Sequence, residues 1–541
     1  MQSPQQHVFS QVPSAEIPRS AFDRSFGYKT TFDAGLLIPI FVDEVLPADT
    51  FSLTVHAFAR MATPIYPIMD NLFMDFFFFF VPNRLVWENW ERFNGAQDDP
   101  DDSTDYLVPR LLAPTGGFTE GSIYDYMGIP TKVQGISINA LPLRAYNLIY
   151  NEWFRDQNLQ FPCANFTGDG PDGQNYYSVR RRGKRHDYFT SCLPWPQKGP
   201  TVNLPLGASA PVVLGSSSTN YSLMRVASTH ALPATNNRLV TDSSGKIWQE
   251  NIGSGTPLVV DPNGSLLTDL SSATAATINQ LRQAFQVQRL YERDARGGTR
   301  YVELLKAHFG VTSPDFRLQR PEFLGGGSIP VNISPIAQTS STDTTSPLGQ
   351  LAAMGVARGK AGFTKSFVEH GFIIGLVSVR ADLTYQQGLP RMWSRHTRFD
   401  HYWPALAHLG EQAVLNKEIY AQGTSADDAV FGYQESWGEY RYKPSQVTGL
   451  MRSNASGSLD GWHLAQEFSS LPVLNTTFIQ DNPPVDRVIA VPSEPHFIYD
   501  SFNAIGAAAA VIMEQGCTHK HFLKANGIKI DTIEVSTSTK I

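Results

Sequence analysis

Two kinds of hydrophobic pattern occur in the first hundred residues, and each predicts a different kind of β-strand. In residues 51–57, FSLTVHA, apolar and polar residues alternate, which is typical of a strand covered on one face. Residues 72–81, LFMDFFFFFV, are apolar at every position except Asp75, which predicts a strand covered on both faces. The pattern alone leaves open whether the second cover is an insertion of the same chain or a neighbouring subunit.

Helical spacing of apolar residues occurs in three places. After a Pro-Asn pair ends the continuous run, tryptophan and phenylalanine recur at helical spacing and predict a short helix over residues 85–93. Residues 141–159, LPLRAYNLIYNEWFRDQNL, place large apolar side chains on one face and predict an amphipathic helix. Residues 278–310 predict two helices separated by a Gly-Gly pair.

These patterns divide the chain into five segments. Residues 1–20 are polar, contain several prolines and predict an extended N-terminal arm. Residues 21–202 carry the first strands with helical loops between them. Ser, Thr and Gly dominate residues 203–276, which predicts a long irregular insertion. Residues 277–495 contain the helical insertion and the remaining strands, and residues 496–541 form a C-terminal tail.

The composition predicts a surface that is largely uncharged. Charged residues are 17% of the 541-residue chain, against about 25% in typical globular proteins, and there are 42 Gly and 36 Pro. A turn-rich β-protein whose surface is hidden in subunit contacts has this composition, and so does a secreted lectin. The net charge of -7 argues against a chain coated all round with nucleic-acid-binding charge.

Cysteine usage and hydropathy predict the compartment. Cys163, Cys192 and Cys517 are too few and too scattered for a disulfide framework or a metal site, which favours a reducing cytoplasm. The first twenty residues lack the pattern of a signal peptide, and the chain has no run of 18 apolar residues. We therefore expect no membrane insertion.

One cluster of cations is a candidate nucleic-acid site. It consists of Arg180, Arg181, Arg182, Lys184 and Arg185. Cations at this density attract phosphate, and the aromatic residues that follow them in the sequence could stack on unpaired bases. A solvated charge run or a salt-bridge patch between subunits explains the same residues equally well.

Other short motifs predict no further chemistry. The string GDGPDG at 168–173 matches a dinucleotide-binding fingerprint by letter, but it follows no apolar strand and contains Pro171 where a helix should begin. A turn is the simpler interpretation. The chain has no GxSxG or HExxH motif. We therefore expect no enzyme activity, no metal and no cofactor.

Several strings, taken together in this order, resemble one family. They include FGYKTTFDAGLLIPIFVDEVLPADTF at 26–51, PIMDNLFMDFFFFFVPNRLVWENW at 67–90, RRGKRHDYFTSCLPWPQKG at 181–199 and EHGFIIGLVSVRADLTYQQGLPRMWSR at 369–395. The chain resembles the major capsid proteins of the Microviridae, small single-stranded DNA phages, and within them the gokushovirus group. Residues 496–541 do not follow the pattern of that family.

The resemblance implies a mainly β fold, a single eight-stranded antiparallel jelly roll of the viral capsid type with long loop insertions containing short helices. It implies self-assembly into a T=1 icosahedral shell around circular single-stranded DNA, in a virion assembled in the host cytoplasm. The implied partners are further copies of the chain, scaffolding, pilot and small basic DNA-binding proteins, and a receptor on the bacterial host surface. The segment 203–276 is the candidate three-fold protrusion. The alternative is a jelly-roll carbohydrate-binding protein or glycosidase.

Overall fold

The fold was analysed in a computed structural model. It describes residues 20–97, 99, 101–202, 278–312, 319–339, 349–407 and 409–509, and six short strands between positions 212 and 268. The chain divides into two compact units. The first comprises Met1–Pro196 and Val311–Ile541, and the second comprises Gln197–Gly310. The predicted N-terminal arm lies outside the described residues up to position 19.

Strands make up most of the regular structure. In chain order they are β1 Ser20–Asp23, β2 Phe26–Phe32, β3 Ile38–Val45, β4 Thr50–Met61, β5 Leu72–Pro82, β6 Arg110–Leu112, β7 Ser137–Asn139, β8 Val212–Leu214, β9 Met224–Val226, β10 Leu239–Thr241, β11 Ile247–Gln249, β12 Leu258–Val260, β13 Leu266–Thr268, β14 Glu322–Ala337, β15 Leu351–Ser366, β16 Gly371–Ala381, β17 Glu411–Leu415, β18 Val430–Glu435 and β19 Phe497–Ala509. The α-helices are α1 Trp90–Phe93, α2 Ile123–Tyr126, α3 Leu141–Ile149, α4 Ile278–Arg296, α5 Tyr301–Phe309, α6 Asn416–Ile419 and α7 Thr476–Ile479.

The first unit is built on one large antiparallel sheet that curls back on itself. Its strands follow the order β1-β19-β4-β15-β14-β5-β16-β3, and β2 also pairs with β19. Strand β14 belongs to both halves, because Glu322–Pro330 pair with β5 and Val331–Ala337 pair with β15. We call the half that contains β19, β4 and β15 the β4 sheet, and the half that contains β5, β16 and β3 the β5 sheet. The mainly β, jelly-roll architecture predicted from the sequence is confirmed.

The β4 sheet is covered on one face. Along β4 buried and accessible residues alternate, as residues 51–57 predicted. Phe51, Leu53 and Val55 point into the core between the two sheets, where they meet residues of β5, β16 and β19. Most of the intervening side chains, including those of His56 and Phe58, are exposed.

The β5 sheet is covered on both faces, as the continuous apolar run predicted. Phe76, Phe78 and Phe80 point into the core between the sheets. Phe79 and Val81 point the other way, into a second core that includes Trp87 and the buried side of α3. An all-apolar strand is the sequence signature of this arrangement because both sets of side chains leave water.

The second cover belongs to the same chain. The Phe77 ring lies 5.2 Å from that of Phe154, and the Phe79 ring lies 5.5 Å from that of Trp153. Both partners lie in the helical turn that continues α3, Tyr150–Phe154. The second cover of β5, which the sequence pattern left open, is therefore an insertion of this chain. The predicted amphipathic helix is present but ends at Phe154 instead of residue 159.

The helix predicted over residues 85–93 is wrong as a single helix. The segment contains a short 3-10 turn, Asn83–Leu85, and then α1. The backbone N–H of Glu88 donates to the carbonyl of Thr167 at 2.9 Å, so it has left the helical pattern of hydrogen bonds. The residues nevertheless contribute to the second cover, since Trp87 is fully buried in the second core.

The segment 496–541 starts with a strand. Phe497–Ala509 form β19, which lies between β1 and β4 and pairs with β4 from Phe497 to Ala508. Phe497, Tyr499 and Ile505 are buried in the core between the sheets. Residues 510–541 lie outside the described residues, so the rest of the predicted tail does too.

The second unit contains the two predicted helices and six short strands. Helices α4 and α5 are separated at Gly297 and Gly298, as predicted, and Gly298 has a φ of 102°, in the region that favours glycine. The strands pair as β8 with β13, β9 with β12, and β10 with β11, all antiparallel. The other residues of the predicted insertion at 203–276 lie outside the described residues.

Candidate nucleic-acid interface and assembly surface

Arg182 of the cation cluster forms a buried ion pair with the one charged residue of the phenylalanine strand. Its guanidinium donates to Oδ2 of Asp75 at 2.7 Å, and Nε of Arg380 on β16 donates to the same oxygen at 2.9 Å. The hydroxyl of Ser328 on β14 donates to Oδ1 at 2.6 Å. Asp75 thus fastens β5 to both neighbouring strands and to the segment that contains Arg182.

The charge state of Asp75 follows from these contacts. Burial acts to raise the pKa of the Asp75 carboxyl, but the hydrogen bonds from Ser328 and Arg182 and the charges of Arg182 and Arg380 outweigh it. The pKa of Asp75 is therefore held below its ordinary value, and the carboxylate stays ionised. Arg182 has a structural partner and does not stand free for phosphate.

Lys184 is buried. Its ammonium lies 4.4 Å from the centre of the Phe478 ring, and burial lowers its pKa to about 8 against the charges of Asp481 and Asp187. Asp481 is buried as well, and burial raises its pKa to about 6 in spite of the nearby Arg182 and Lys184. Lys184 therefore packs inside the first unit.

The other three cations differ in exposure. Arg181 is half-buried, and its guanidinium donates to the carbonyl of Ala34 at 3.1 Å. Arg180 is half-buried, and its backbone N–H donates to the hydroxyl of Tyr146 at 3.0 Å. Arg185 is the member of the cluster with an exposed side chain. The cluster is contiguous in sequence, but the fold turns its members in different directions.

The aromatic residues after the cluster are mostly packed inside the first unit. Tyr188 and Phe189 are buried, and the Tyr188 hydroxyl donates to Glu418 at 3.2 Å. His186 is exposed beside Arg185. A continuous row of cations and stacking rings is therefore not present along 180–195.

The glycine string at 168–173 holds the second cover in place. Asp172 makes a two-pronged ion pair with Arg144 of α3, with Nε to Oδ2 at 2.8 Å and Nη2 to Oδ1 at 2.6 Å. Both side chains are almost fully buried. Asp169 accepts from the indole N–H of Trp87 at 2.7 Å. The carboxylates of the string thus anchor α3 and Trp87 beside the β5 sheet.

A second surface was missed in the sequence analysis. Residues 389–403, which we call the assembly loop, expose several large apolar side chains. Trp393 is 65% exposed and Phe399 is 72% exposed, and the others are Leu389, Met392, Tyr402 and Trp403. The signal was the density of aromatic and arginine residues in PRMWSRHTRFDHYW at 390–403.

The assembly loop is held firmly despite its exposure. Arg391 pairs with Glu418 at 3.0 Å, and Arg395 pairs with Glu439 at 2.9 Å. The guanidinium of Arg398 lies 4.6 Å from the centre of the Trp403 ring. Beside the loop is a cavity of about 610 Å³ whose lining includes Tyr188, Trp393, Tyr440 and Tyr442. Ion pairs with low exposure present the aromatic rings in a fixed arrangement.

The described part of the chain contains no group of three His, Cys, Asp or Glu side chains placed to hold a metal ion. None of its helices is both long and apolar enough to cross a membrane. Cys163 and Cys192 are buried, and the Cys192 thiol donates to the carbonyl of Tyr188 at 3.3 Å.

Comparison with known proteins gives one consistent result. Residues 10–514 match the family described as "Capsid protein (F protein)". "Capsid protein VP1" of Bdellovibrio phage phiMH2K is 54% identical over 502 residues, covering 92% of this chain and 94% of that protein. The proteins of the same name from Chlamydia phage 1 and Spiroplasma virus 4 are 46% and 39% identical, over 91% and 90% of this chain and 94% and 92% of their own lengths.

The fold is a curled pair of sheets with long covering insertions, and the sequence matches capsid proteins along nearly its whole length. Together these define a jelly-roll viral capsid protein. The chain belongs to the capsid protein (F protein) family. The resemblance to the capsid proteins of gokushoviruses of the Microviridae is confirmed. The protein is a structural component of the virion, and the comparisons give no support to the carbohydrate-binding alternative.

Proposed function

We propose that copies of this chain assemble into a T=1 icosahedral shell around circular single-stranded DNA. The observation that supports this most is the assembly loop, because it presents large apolar side chains to solvent on a rigid base. Aromatic residues, methionine and arginine are enriched in the cores of protein interfaces, and these residues dominate the loop. Firm positioning lowers the entropy lost on binding, which favours a contact made many times in one particle.

We assign the assembly loop to a contact with another copy of the chain. A double substitution Trp393→Asp with Phe399→Asp places two charges where an apolar contact forms, so we expect soluble protein that yields no particles. Electron microscopy and sedimentation of the expressed protein measure this directly.

The matched control removes apolar side chains of similar exposure elsewhere in the first unit. Leu107→Asp with Phe161→Asp changes two residues that are more than four-fifths exposed and lie outside the assembly loop. We expect this variant to form particles. Particles from the loop variant, and none from the control, would show that the contact lies elsewhere.

The enclosed genome has its own test. Nucleic acid extracted from particles should resist a single-strand exonuclease, because a circle has no ends, and should be cut by a single-strand endonuclease. Of the five cations of the cluster, we propose Arg185 as the one that contacts DNA directly, since its side chain is exposed.

Other partners are proposed on the resemblance alone. A scaffolding protein, a pilot protein and a small basic DNA-binding protein are expected to associate with the chain during assembly. Residues 203–276 are proposed as the three-fold protrusion that binds the host surface. Antibody fragments against this segment should block adsorption of intact particles to cells, whereas fragments against the assembly loop should not bind intact particles.

A further inference from the structure

The outer face of the β4 sheet carries a compact group of aromatic and basic side chains. Phe58 on β4 lies directly opposite Arg358 on β15 and Asp500 on β19. In the next row of the same face, His56 lies opposite Lys360 and Phe502. In the row on the other side, Arg60 lies opposite Val356 and Ile498.

This group of side chains carries a net positive charge, although the chain as a whole is negative. Asp500 pairs with Lys29 of β2 at 3.0 Å, which leaves that pair neutral. Arg60, Arg358 and Lys360 make no ion pair with any residue in the part of the chain that the structure describes. In a chain with a net charge of -7, one sheet face thus carries three cations that have no ion-pair partner among the described residues.

Two rings lie among these cations and face outward. Phe58 is 50% exposed and Phe502 is 55% exposed. They are diagonal neighbours across β4 and β19, a relation that places such side chains about 7–8 Å apart. This spacing lets two successive unpaired bases lie on the two rings.

The rest of the same face carries small side chains. Ser52 and Thr54 on β4, with Thr364 and Ser366 on β15, are small hydroxyl residues, and Ala504 and Gly506 lie beside them on β19. An extended strand of nucleic acid that crosses the sheet therefore meets no bulky obstacle.

We propose that the outer face of the β4 sheet binds single-stranded DNA. Bases stack on Phe58 and Phe502, and phosphates pair with Arg60, Arg358 and Lys360. A sheet face that carries stacking rings beside cations is a general solution for binding unpaired nucleic acid, because every base has a flat face and every nucleotide has a charge. The proposal rests on the proposed function, since it assigns this face to the inside of the shell.

A second protein is the other occupant to consider. Exposed phenylalanines suit a protein contact equally well, but three cations that form no ion pair among the described residues would require an acidic partner surface. The polyanion enclosed by a shell supplies that charge in any sequence and at any position along the strand. The charge of the face therefore favours DNA.

The test measures the binding of a fluorescent oligothymidylate to the full-length, unassembled chain over a range of salt concentrations. Arg358→Gln with Lys360→Gln removes two phosphate contacts. Each contact with a single strand contributes about 0.7 to the salt slope, so we expect the slope to fall by about 1.4. Phe58→Ala with Phe502→Ala should weaken binding by on the order of tenfold or more and leave the slope unchanged.

Two control variants match these changes. Lys132→Gln with Arg441→Gln removes two exposed cations away from the β4 sheet, and Ser52→Ala with Thr364→Ala changes small residues of the same face. Both should bind the oligonucleotide as the wild type does. Equal loss of affinity in the Lys132 and Arg441 variant would mean that binding follows total charge, and it would overturn the proposal.

Particles separate this proposal from the proposed function. Variants of the β4 face should still form shells that contain less DNA per protein. Variants that keep full oligonucleotide affinity but form no shells would overturn the proposal and assign the face to a protein contact. A wild-type chain that binds the oligonucleotide through this face yet forms no shell would contradict the proposed function and leave the binding face standing.

Discussion

The two sheets of this jelly roll differ in how many of their faces the chain itself covers. Strand β5 is apolar along almost its whole length and is buried between two cores of the same chain. Strand β4 alternates, and its outer side chains remain accessible. Among the described residues, long insertions therefore cover one sheet and leave the outer face of the other accessible.

The difference shows that a second face of a sheet is buried where specific polar contacts hold an insertion against it. Residues of the insertion cover the β5 sheet because the Arg144 and Asp172 ion pair and the Trp87 to Asp169 hydrogen bond fix them there. Helix α3 packs against β5 and β16, and among the described residues no helix covers the β4 sheet in this way. We expect this sheet face, with its cations and rings, to contact a partner other than its own chain.

The sharpest contrast is expected between phenylalanines of the two sheets. Phe79→Ala leaves a cavity in the second core, and we expect it to lower the free energy of unfolding by about 3–5 kcal/mol. Phe58→Ala changes an exposed ring and should alter that free energy by less than about 0.5 kcal/mol. Urea unfolding of the unassembled chain measures both. Similar losses would show that the two sheets are covered alike.

Ion pairs provide the second contrast. Asp75→Ala leaves Arg182 and Arg380 without their shared carboxylate, and breaking a buried pair costs about 3–5 kcal/mol of unfolding free energy. Asp500→Ala breaks the exposed pair with Lys29 and should cost less than about 1 kcal/mol. The urea midpoints of the two variants test this. A mild effect at Asp75 would mean that Ser328 and solvent replace its contacts.

A pH dependence follows from Asp481, which lies beside the cation cluster. Burial raises its pKa to about 6 in the folded chain, against about 3.9 in an unfolded one. Between these values the folded state holds a proton that the unfolded state has released, so this carboxyl makes the chain less stable as the pH rises from 4 to 6.

The variant Asp481→Asn removes that titration. Its advantage over the wild type should grow by about 2 kcal/mol between pH 4 and pH 7, because the unfolded carboxyl is already about half ionised at pH 4. Urea unfolding at a series of pH values gives the difference curve. A difference curve without slope between pH 4 and pH 7 would show that the pKa of Asp481 is not raised.

The smallest effect is expected at Arg185. Arg185→Gln changes an exposed side chain and should leave the free energy of unfolding within about 0.5 kcal/mol, whereas Arg182→Gln should destabilise the chain through Asp75. A strongly destabilised Arg185 variant would show that the whole cluster is structural.

Sequence patterns predicted the elements in which buried residues follow a regular spacing. The continuous run gave β5, alternation gave β4, and the Gly-Gly pair separated α4 from α5. Strand β14 was missed because Gly325, Gly326 and Gly327 weaken the signal of a strand. A Cβ atom added at Gly326 would collide with the carbonyl oxygen of Phe76, so the close approach of the two strands requires glycine there.

Long-range partners could not be predicted. Arg182 and Asp75 are 107 positions apart, and no local pattern joins them, so five adjacent cations suggested one function where the fold assigns several. The outer face of the β4 sheet combines residues from β4, β15 and β19, which only the register of the sheet brings together. Charge clusters that are contiguous in space need not be contiguous in sequence.

Hydroxyl-radical footprinting tests the central claim, that the chain covers its β5 sheet itself and leaves the β4 face to a partner. In the unassembled chain, Phe76, Phe78 and Phe79 should remain unmodified while Phe58 and Phe502 are oxidised, and in DNA-filled particles all five should be protected. Oxidation of Phe79 in the unassembled chain, followed by protection in particles, would show that a neighbouring subunit supplies the cover and would contradict this account.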